Sequence, residues 1–378
     1  MSKRHAVSRN SARRVFDRLP SWAKPRIGLL EHHEPRPLRV PARYLRLGAP
    51  EPAPTITIVT PSYQQGRFLD RTIYSVVSQK YPGLEYVVQD GGSSDQTLEV
   101  LQRFDPFLTR WVSEADTGQA DAINRGFRGT SGDVMAWINS DDLLLPGSLA
   151  YVARFFVDHP DVDIVYGHRL MIDEDDRRIG SWTLPRHDDR VLALADYVPQ
   201  ETLFWRRRVW EAVGSCVDPS FGYALDWDLL LRFRDVGARM TRLPRYLGGF
   251  RVHDEQKTTA FHSLGESECA RLRERVHGRN LSSDEVFEGI KPYLLRHLVI
   301  HGRHRFVDLL PIPRVLVRTV PDESWLPPPQ QALMRSRASS AVGSSVTAAP
   351  GRREPALGLA DISPRSERGG SAPGSFSR

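Results

Sequence analysis

Carboxylates occur along this chain in short clusters, most with glycine, serine or asparagine beside them: Asp90-Gly91-Gly92-Ser93-Ser94-Asp95, Glu114-Ala115-Asp116, Asn139-Ser140-Asp141-Asp142 and Asp226-Trp227-Asp228. Single clusters have plain structural readings. Asp90-Gly91-Gly92 suits a tight turn whose Asp caps a helix at Thr97, and Asp141-Asp142 suits the anionic start of a helix after Pro146. Gathered in one place they would do more, because neighbouring carboxylates repel unless a cation or hydrogen-bond donors offset them. A divalent metal supplies that offset while binding phosphate oxygens. Asp226 opens a stretch anchored by Leu229, Leu230 and Phe233, and Asp228 precedes Arg232 at the i, i+4 spacing of a helical ion pair. His253, in Phe250-Arg251-Val252-His253, stands alone and suits either packing or metal ligation.

Periodicity supplies the elements that would carry these clusters to one place. A β-branched run over 55–60 ends at Pro61 and leads into an amphipathic helix over 68–79. The alternation repeats: strand 84–89 then helix 97–104, strand 110–113 then helix 119–127, strand 134–138 then helix 148–157. Such strand–helix units predict a mostly parallel sheet with helices on both faces. After 163–166 the pattern gives way to hairpin-like strands, including 178–184, and shorter helices near 190–197 and 226–236, a mixed α+β half. Open sheets of this kind bind ligands beyond the carboxyl ends of their strands. The polar clusters follow those ends: Thr60-Pro61-Ser62-Tyr63 after the first strand, then the Asp90, Glu114 and Asn139 clusters after the next three.

Thr60-Pro61-Ser62-Tyr63, Asp90-Gly91-Gly92-Ser93-Ser94-Asp95-Gln96-Thr97, Gly118-Gln119-Ala120-Asp121-Ala122-Ile123-Asn124, Asn139-Ser140-Asp141-Asp142 and Asp226-Trp227-Asp228 stand in an order and spacing that resembles the motifs of family-2 glycosyltransferases of the GT-A fold, over about 56–258. The resemblance implies an α/β, Rossmann-like, mostly parallel sheet with helices on both faces and a mixed α+β acceptor half. It implies transfer of a sugar from a nucleoside-diphosphate sugar to a hydroxyl of a polysaccharide, glycolipid or protein acceptor, usually with inversion. Thr60, Pro61, Tyr63, Asp90, Asp95, Asp121, Asn139 and Ser140 would then surround the nucleotide, Asp90 accepting from a base N–H and Asp121 touching base or ribose. Asp141 and Asp142, completed by His253, would hold Mg²⁺ or Mn²⁺ on the diphosphate, and Asp226 would be the catalytic base.

Two positions depart from that pattern: Asn139 stands where the first Asp of Asp-x-Asp falls, and Leu225 where a Glu often precedes the base. They are the features that favour the alternative, a non-catalytic nucleotide-sugar binding or assembly subunit. A sugar-nucleotide pyrophosphorylase has a related sheet but needs a Gly-rich basic phosphate loop after the first strand. Pro61-Ser62-Tyr63-Gln64-Gln65-Gly66 does not supply one. Trp182, Trp205 and Trp227 either stack on sugar faces or fill core.

Hydrophobic residues at 40% and charged residues at 26% of the 378 exclude collagen-like, wholly disordered and disulfide-scaffold classes. Cys216 and Cys269 are too few for a disulfide framework or a zinc site, so a reducing cytoplasm is expected. The net charge of +6 arises at the ends: 12 Lys/Arg against 3 Asp/Glu over 1–50 and 7 against 3 over 331–378, with −7 between them. No nucleic-acid motif accompanies that excess, and no nucleic-acid partner is expected. No 18-residue apolar run is present, and no secretory leader is expected. The expected organisation is a basic, partly ordered arm over 1–50, a glycosyltransferase domain over 51–260, a helical extension over 261–330 and a disordered tail over 331–378. The arginine-rich arm is expected to meet the anionic inner face of a membrane, where lipid-linked acceptors reside.

Overall fold

A computed structural model describes residues 33–254 and 262–321. Residues 1–32 of the expected arm and all of the expected disordered tail lie outside that range. The strands are β1 Arg39–Pro41, β2 Ile56–Ser62, β3 Leu84–Asp90, β4 Arg110–Ser113, β5 Val134–Trp137, β6 Leu143–Leu144, β7 Ile164–Ile172, β8 Arg178–Trp182, β9 Phe204–Arg206, β10 Met240–Arg251 and β11 Arg314–Leu316. The helices are α1 Gly66–Val77, α2 Thr97–Phe104, α3 Gln119–Phe127, α4 Ser148–Asp158, α5 Asp189–Leu192, α6 Arg207–Ala212, α7 Leu225–Asp235, α8 His262–His277 and α9 Ser283–Leu309.

Nine strands form one sheet, ordered β4-β3-β2-β5-β9-β7-β10-β6, with β8 pairing β7. The first four in that order run parallel, Ile56 facing Leu84 on one side and Val134 on the other. All seven residues of β2 are buried, as expected where helices cover both faces of a parallel sheet. Ile56 and Ile58 pack with Leu69 and Ile73 of α1 in one core layer. Val59 packs with Ile123 and Phe127 of α3 in the other. Gly126 permits that close approach, because a Cβ there would sit 2.4 Å from Val59 Cγ1. The strand order reverses between β2 and β5, which opens a crevice at their carboxyl ends. The mostly parallel sheet with helices on both faces is thus present, and β9, β6 and β8 add antiparallel members.

Three elements differ from the periodicity reading. The helix expected over 190–197 stops at Leu192, because Tyr197 and Val198 leave the helical path to line the crevice. β9 is only three residues long and carries no period-2 signal. β10 runs for twelve residues but contains Pro244, Gly248 and Gly249, which weaken its strand signal, and register shifts between Arg242 and Gly248 absorb the irregularity. Outside the main sheet, β1 pairs antiparallel with β11, Arg39 facing Leu316. This ribbon covers a third apolar cluster built on Leu38, Val40, Tyr44, Leu143 and Leu170.

Candidate active site

The strand ends converge on a cavity of about 810 Å³. β2 contributes Pro61 and Ser62, with Tyr63 just after it; the turn after β3 contributes Gly91; the loop after β4 contributes Asp116; the loop after β5 contributes Asn139, Ser140, Asp141 and Asp142. Asp226, in the first turn of α7, lines the same cavity. Of the residues singled out in the sequence, Pro61, Tyr63, Asn139, Ser140, Asp141, Asp142 and Asp226 line this cavity, and Thr60, Asp90, Asp95, Asp121 and His253 stand behind or beside it.

Those behind it shape its walls. Thr60 is buried with its hydroxyl 3.0 Å from that of Tyr86. The fully buried Asp90 carboxylate accepts from Gly92 N at 3.2 Å, Ser93 N at 2.9 Å and the hydroxyls of Ser93 and Ser113 at 2.6 and 2.7 Å, which holds the turn after β3 closed. Gly91 lets the Asp116 carboxylate come close, since a Cβ there would lie 2.8 Å from one of its oxygens. Asp95 accepts from Gly66 N at 2.8 Å and Thr97 N at 3.0 Å, tying the start of α1 to that of α2. Burial opposes the Asp95 charge, but the hydrogen bonds from Thr97 and Gly66 outweigh it and lower its pKa. Asp121 pairs with Arg125 at 2.8 Å and accepts from Thr117 N, and that backbone donor leads in lowering its pKa.

The loop after β5 is pinned from beneath. Thr72 of α1 donates its hydroxyl to the carbonyls of Ser140 and Asp142, both at 2.8 Å. Arg251, wholly buried, donates its backbone N–H to Asp142 Oδ1 at 3.0 Å and its Nε to the Asp141 carbonyl at 2.7 Å. Asp142 is therefore a buried carboxylate, and burial, then the charges of Asp141 and Glu201, push its pKa well up. Asp141 reaches across to His253, Oδ2 lying 3.0 Å from Nε2. Asn139 accepts from Gln119 Nε2 at 2.8 Å.

Asp226 lies in the positive first turn of a helix, with Trp227 N donating to its Oδ1 at 2.9 Å, yet burial pushes its pKa up to about 6. Asp228 points elsewhere: it is buried and paired with Arg232 at 2.9 Å and Arg275 of α8 at 2.6 Å, the i, i+4 partner expected plus a second. Glu268, also from α8, accepts from Gly222, Tyr223 and Ala224 N–H groups at 2.8 to 2.9 Å, satisfying the donors that precede α7.

Several lining residues carried no sequence signal. Arg169 of β7 is held by the buried Glu201 through Nε at 2.8 Å and stacks 4.3 Å from the Phe250 ring centroid, with Trp182 beyond it at 5.3 Å. A lone arginine inside a strand that is otherwise almost wholly buried was the one available clue. Asp196, whose pKa burial and then the Asp226 charge raise well above the ordinary carboxyl range, lies in the stretch expected to be helix. Among the described residues the lining holds five carboxylates, Asp116, Asp141, Asp142, Asp196 and Asp226, against the single cation Arg169. Asp196 Oδ1, Gln200 Oε1 and Ser62 Oγ are buried in that lining without hydrogen-bond partners among the described residues. Trp205 and Trp227 are wholly buried and fill core, whereas Trp182 reaches the cavity.

The sequence pattern described as Glycosyl transferase family 2 matches residues 57–210. A PGL/p-HBAD biosynthesis glycosyltransferase of Mycobacterium bovis is 31% identical over 194 residues, covering 50% of this chain and 73% of the relative. An uncharacterized glycosyltransferase of Mycobacterium tuberculosis is 31% identical over 186 residues, covering 48% of this chain and 69% of the relative. The chain belongs to glycosyltransferase family 2. Among solved structures, this glycosyltransferase resembles S. aureus TarS 1-349 in complex with UDP-GlcNAc, with TM-score 0.49 at 16% identity over 68% of this chain and 76% of the other. It also resembles the mannosyltransferase PcManGT from Pyrobaculum calidifontis in complex with GDP-Man and Mn2+, with TM-score 0.48 at 17% identity over 79% and 85% of the two chains.

Among the described residues of this glycosyltransferase, no three His, Cys, Asp or Glu side chains are grouped so as to hold a metal ion. Asp141 and His253 are a hard oxygen donor and an imidazole in direct contact, beside the buried Asp142 and within an excess of cavity carboxylates. The carboxylates of that set fit an ion such as Mg²⁺, which is commonly held by one or two carboxylates with substrate phosphates completing its shell.

Proposed function

We propose that the cavity binds a nucleoside-diphosphate sugar against the β2, β3 and β5 ends and that Asp226 deprotonates an acceptor hydroxyl for a single inverting displacement. The observation that carries this reading is that Asp226 lines one cavity with the Asn139–Asp142 loop, its pKa pushed up to about 6. An acceptor hydroxyl needs a carboxylate poised near neutral pH to take its proton, and burial provides that poise. Tyr63, 63% exposed at the rim, offers a ring for the nucleobase; Pro61, Asn139 and Ser140 flank it, and Thr60, Asp90, Asp95 and Asp121 keep the surrounding turns in place. Asp141 and His253, backed by Asp142, would hold Mg²⁺ or Mn²⁺, which when bound offsets charge on the leaving diphosphate. Arg169 would share that task, being the cation the lining already contains. Trp182, Tyr197 and Phe250 give the remaining wall aromatic faces suited to sugar rings.

Membership of glycosyltransferase family 2 supports a sugar-nucleotide donor. The acceptor falls within the hydroxyl-bearing polysaccharides, glycolipids and proteins, and a cytoplasmic enzyme peripheral to an anionic membrane suits a lipid-linked one. No helix of the described residues is long and apolar enough to cross a membrane. Incubating the purified chain with a panel of sugar nucleotides and Mg²⁺ or Mn²⁺ tests the reading through nucleotide release. Release from at least one donor, lost in Asp226→Asn, is the expected result; no release from any donor would favour a binding subunit. Calorimetric donor titration with and without EDTA tests the ion separately, and equal affinity in both removes it.

A further inference from the structure

Thirteen large apolar side chains are exposed in the described residues, and seven of them fall between 295 and 320: Leu295, Leu298, Val299, Phe306, Leu310, Leu316 and Val320. On α9, Leu295, Val299 and Phe306 recur at i, i+4 and i+11, which places them within about 40° of one another around the helix, with Leu298 at the edge of the same stripe. Val299 is 65% exposed and Phe306 67%, so this stripe faces away from the core. After α9 the same composition continues on β11, whose exposed Leu316 alternates with the inward Val315 and Val317 and pairs with the exposed Arg39 of β1.

The rim is basic. Residues 291–320 contain six Lys or Arg and one acid, Asp308. Exposed Arg186 and Arg296, the latter paired with Asp188 at 2.7 Å, border a shallow groove of about 470 Å³ that Leu295, Val299 and Ile300 also line. Exposed Arg43, Leu45 and Arg46 adjoin β1, where Ala42 N donates to the Pro313 carbonyl.

We infer that the exposed α9 stripe is where the enzyme seats on an anionic phospholipid surface, with its apolar side chains entering the headgroup layer and the flanking arginines meeting lipid phosphates. An apolar stripe bordered by cations is the composition of interfacial helices. Contiguous exposed apolar surface of this kind marks a contact site. A second copy of the chain is a poorer occupant, because a two-fold contact would set arginine against arginine. The inference is separate from the arm over 1–50 and adds a second, structured contact to the membrane placement proposed above.

Vesicle co-sedimentation of the full chain tests it, using neutral phosphatidylcholine against mixtures containing phosphatidylserine or phosphatidylglycerol. Anionic lipid should strengthen binding by ~10-fold or more, since each basic residue near the surface adds about a fivefold attraction. Val299→Glu and Phe306→Glu should each weaken binding by on the order of 10-fold, the loss expected when a large apolar side chain no longer enters the apolar phase. Val157→Glu, an exposed apolar site elsewhere, should leave binding unchanged. Thermal melts of all three variants check folding, since each site is already exposed. Binding that is unaltered in Phe306→Glu assigns the membrane contact to the arm and overturns the inference. No binding by the wild type overturns both. A wild-type dimer in sedimentation velocity that Phe306→Glu dissociates would show the face to be a self-association surface and would also overturn it.

Discussion

A single residue, Trp227, separates Asp226 from Asp228, and the first turn of α7 sends one to the cavity and the other into ion pairs with Arg232 and Arg275. Substitution should therefore separate their effects. Asp226→Asn removes the proposed proton acceptor and should cost on the order of 10²–10⁴ in turnover while donor binding survives. Asp228→Asn should instead lower stability by about 3 kcal/mol, the usual consequence of removing one partner from a buried pair, and a denaturant titration reads it. The pKa of about 6 at Asp226 gives a pH dependence as well. The base acts when ionised, so turnover should rise as pH increases through about 6 and then level, a limb absent from the residual activity of Asp226→Asn. Stability runs the other way. Because the folded pKa lies above the unfolded value, ionising Asp226 in place weakens the fold as pH rises from about 4 to about 6. Asp226→Asn should melt higher than the wild type at pH 8, with the difference shrinking near pH 4. A melt at pH 8 no higher than the wild type would show that burial does not set the Asp226 pKa.

At the scale of elements, α8 determines where α7 begins. Glu268 holds three N–H groups ahead of Asp226, so Glu268→Ala should reduce turnover more than it changes the KM for donor, with a loss of about 2 kcal/mol in stability from donors left unpaired. Turnover equal to wild type in a folded Glu268→Ala would remove α8 from the site. The sequence carried the parallel half of the sheet clearly, because β2 to β5 and α1 to α4 each show an uninterrupted period and the polar clusters fall at their ends. It carried Asp226 and the Asn139–Asp142 loop through short-range motifs. It did not carry Glu268, whose partners lie more than forty positions away and share no local pattern with it, nor Arg169, Glu201 and Asp196, which acquire meaning only when β7 and the loop before β9 are brought together. β10 escaped notice because Pro244 and two glycines interrupt a strand held by its neighbours rather than by its own propensity.

For the molecule as a whole, the β1–β11 ribbon joins residue 39 to residue 316 by direct pairing, and Val317 N donates onward to the Leu38 carbonyl. The two chain directions at that point are those of a hairpin lacking its turn. Topologically, the fold over these residues is then a closed ring, and where the ring is cut is incidental to its packing. A circular permutant follows: a short glycine-containing turn linking residue 320 back to residue 36, with new ends at Asn280 in the exposed connection between α8 and α9. It should fold, keep nucleotide release within a few-fold of the parent, and melt close to it. A permutant that fails to fold would mean that the ribbon forms only when the segments before and after it remain free to approach from opposite ends.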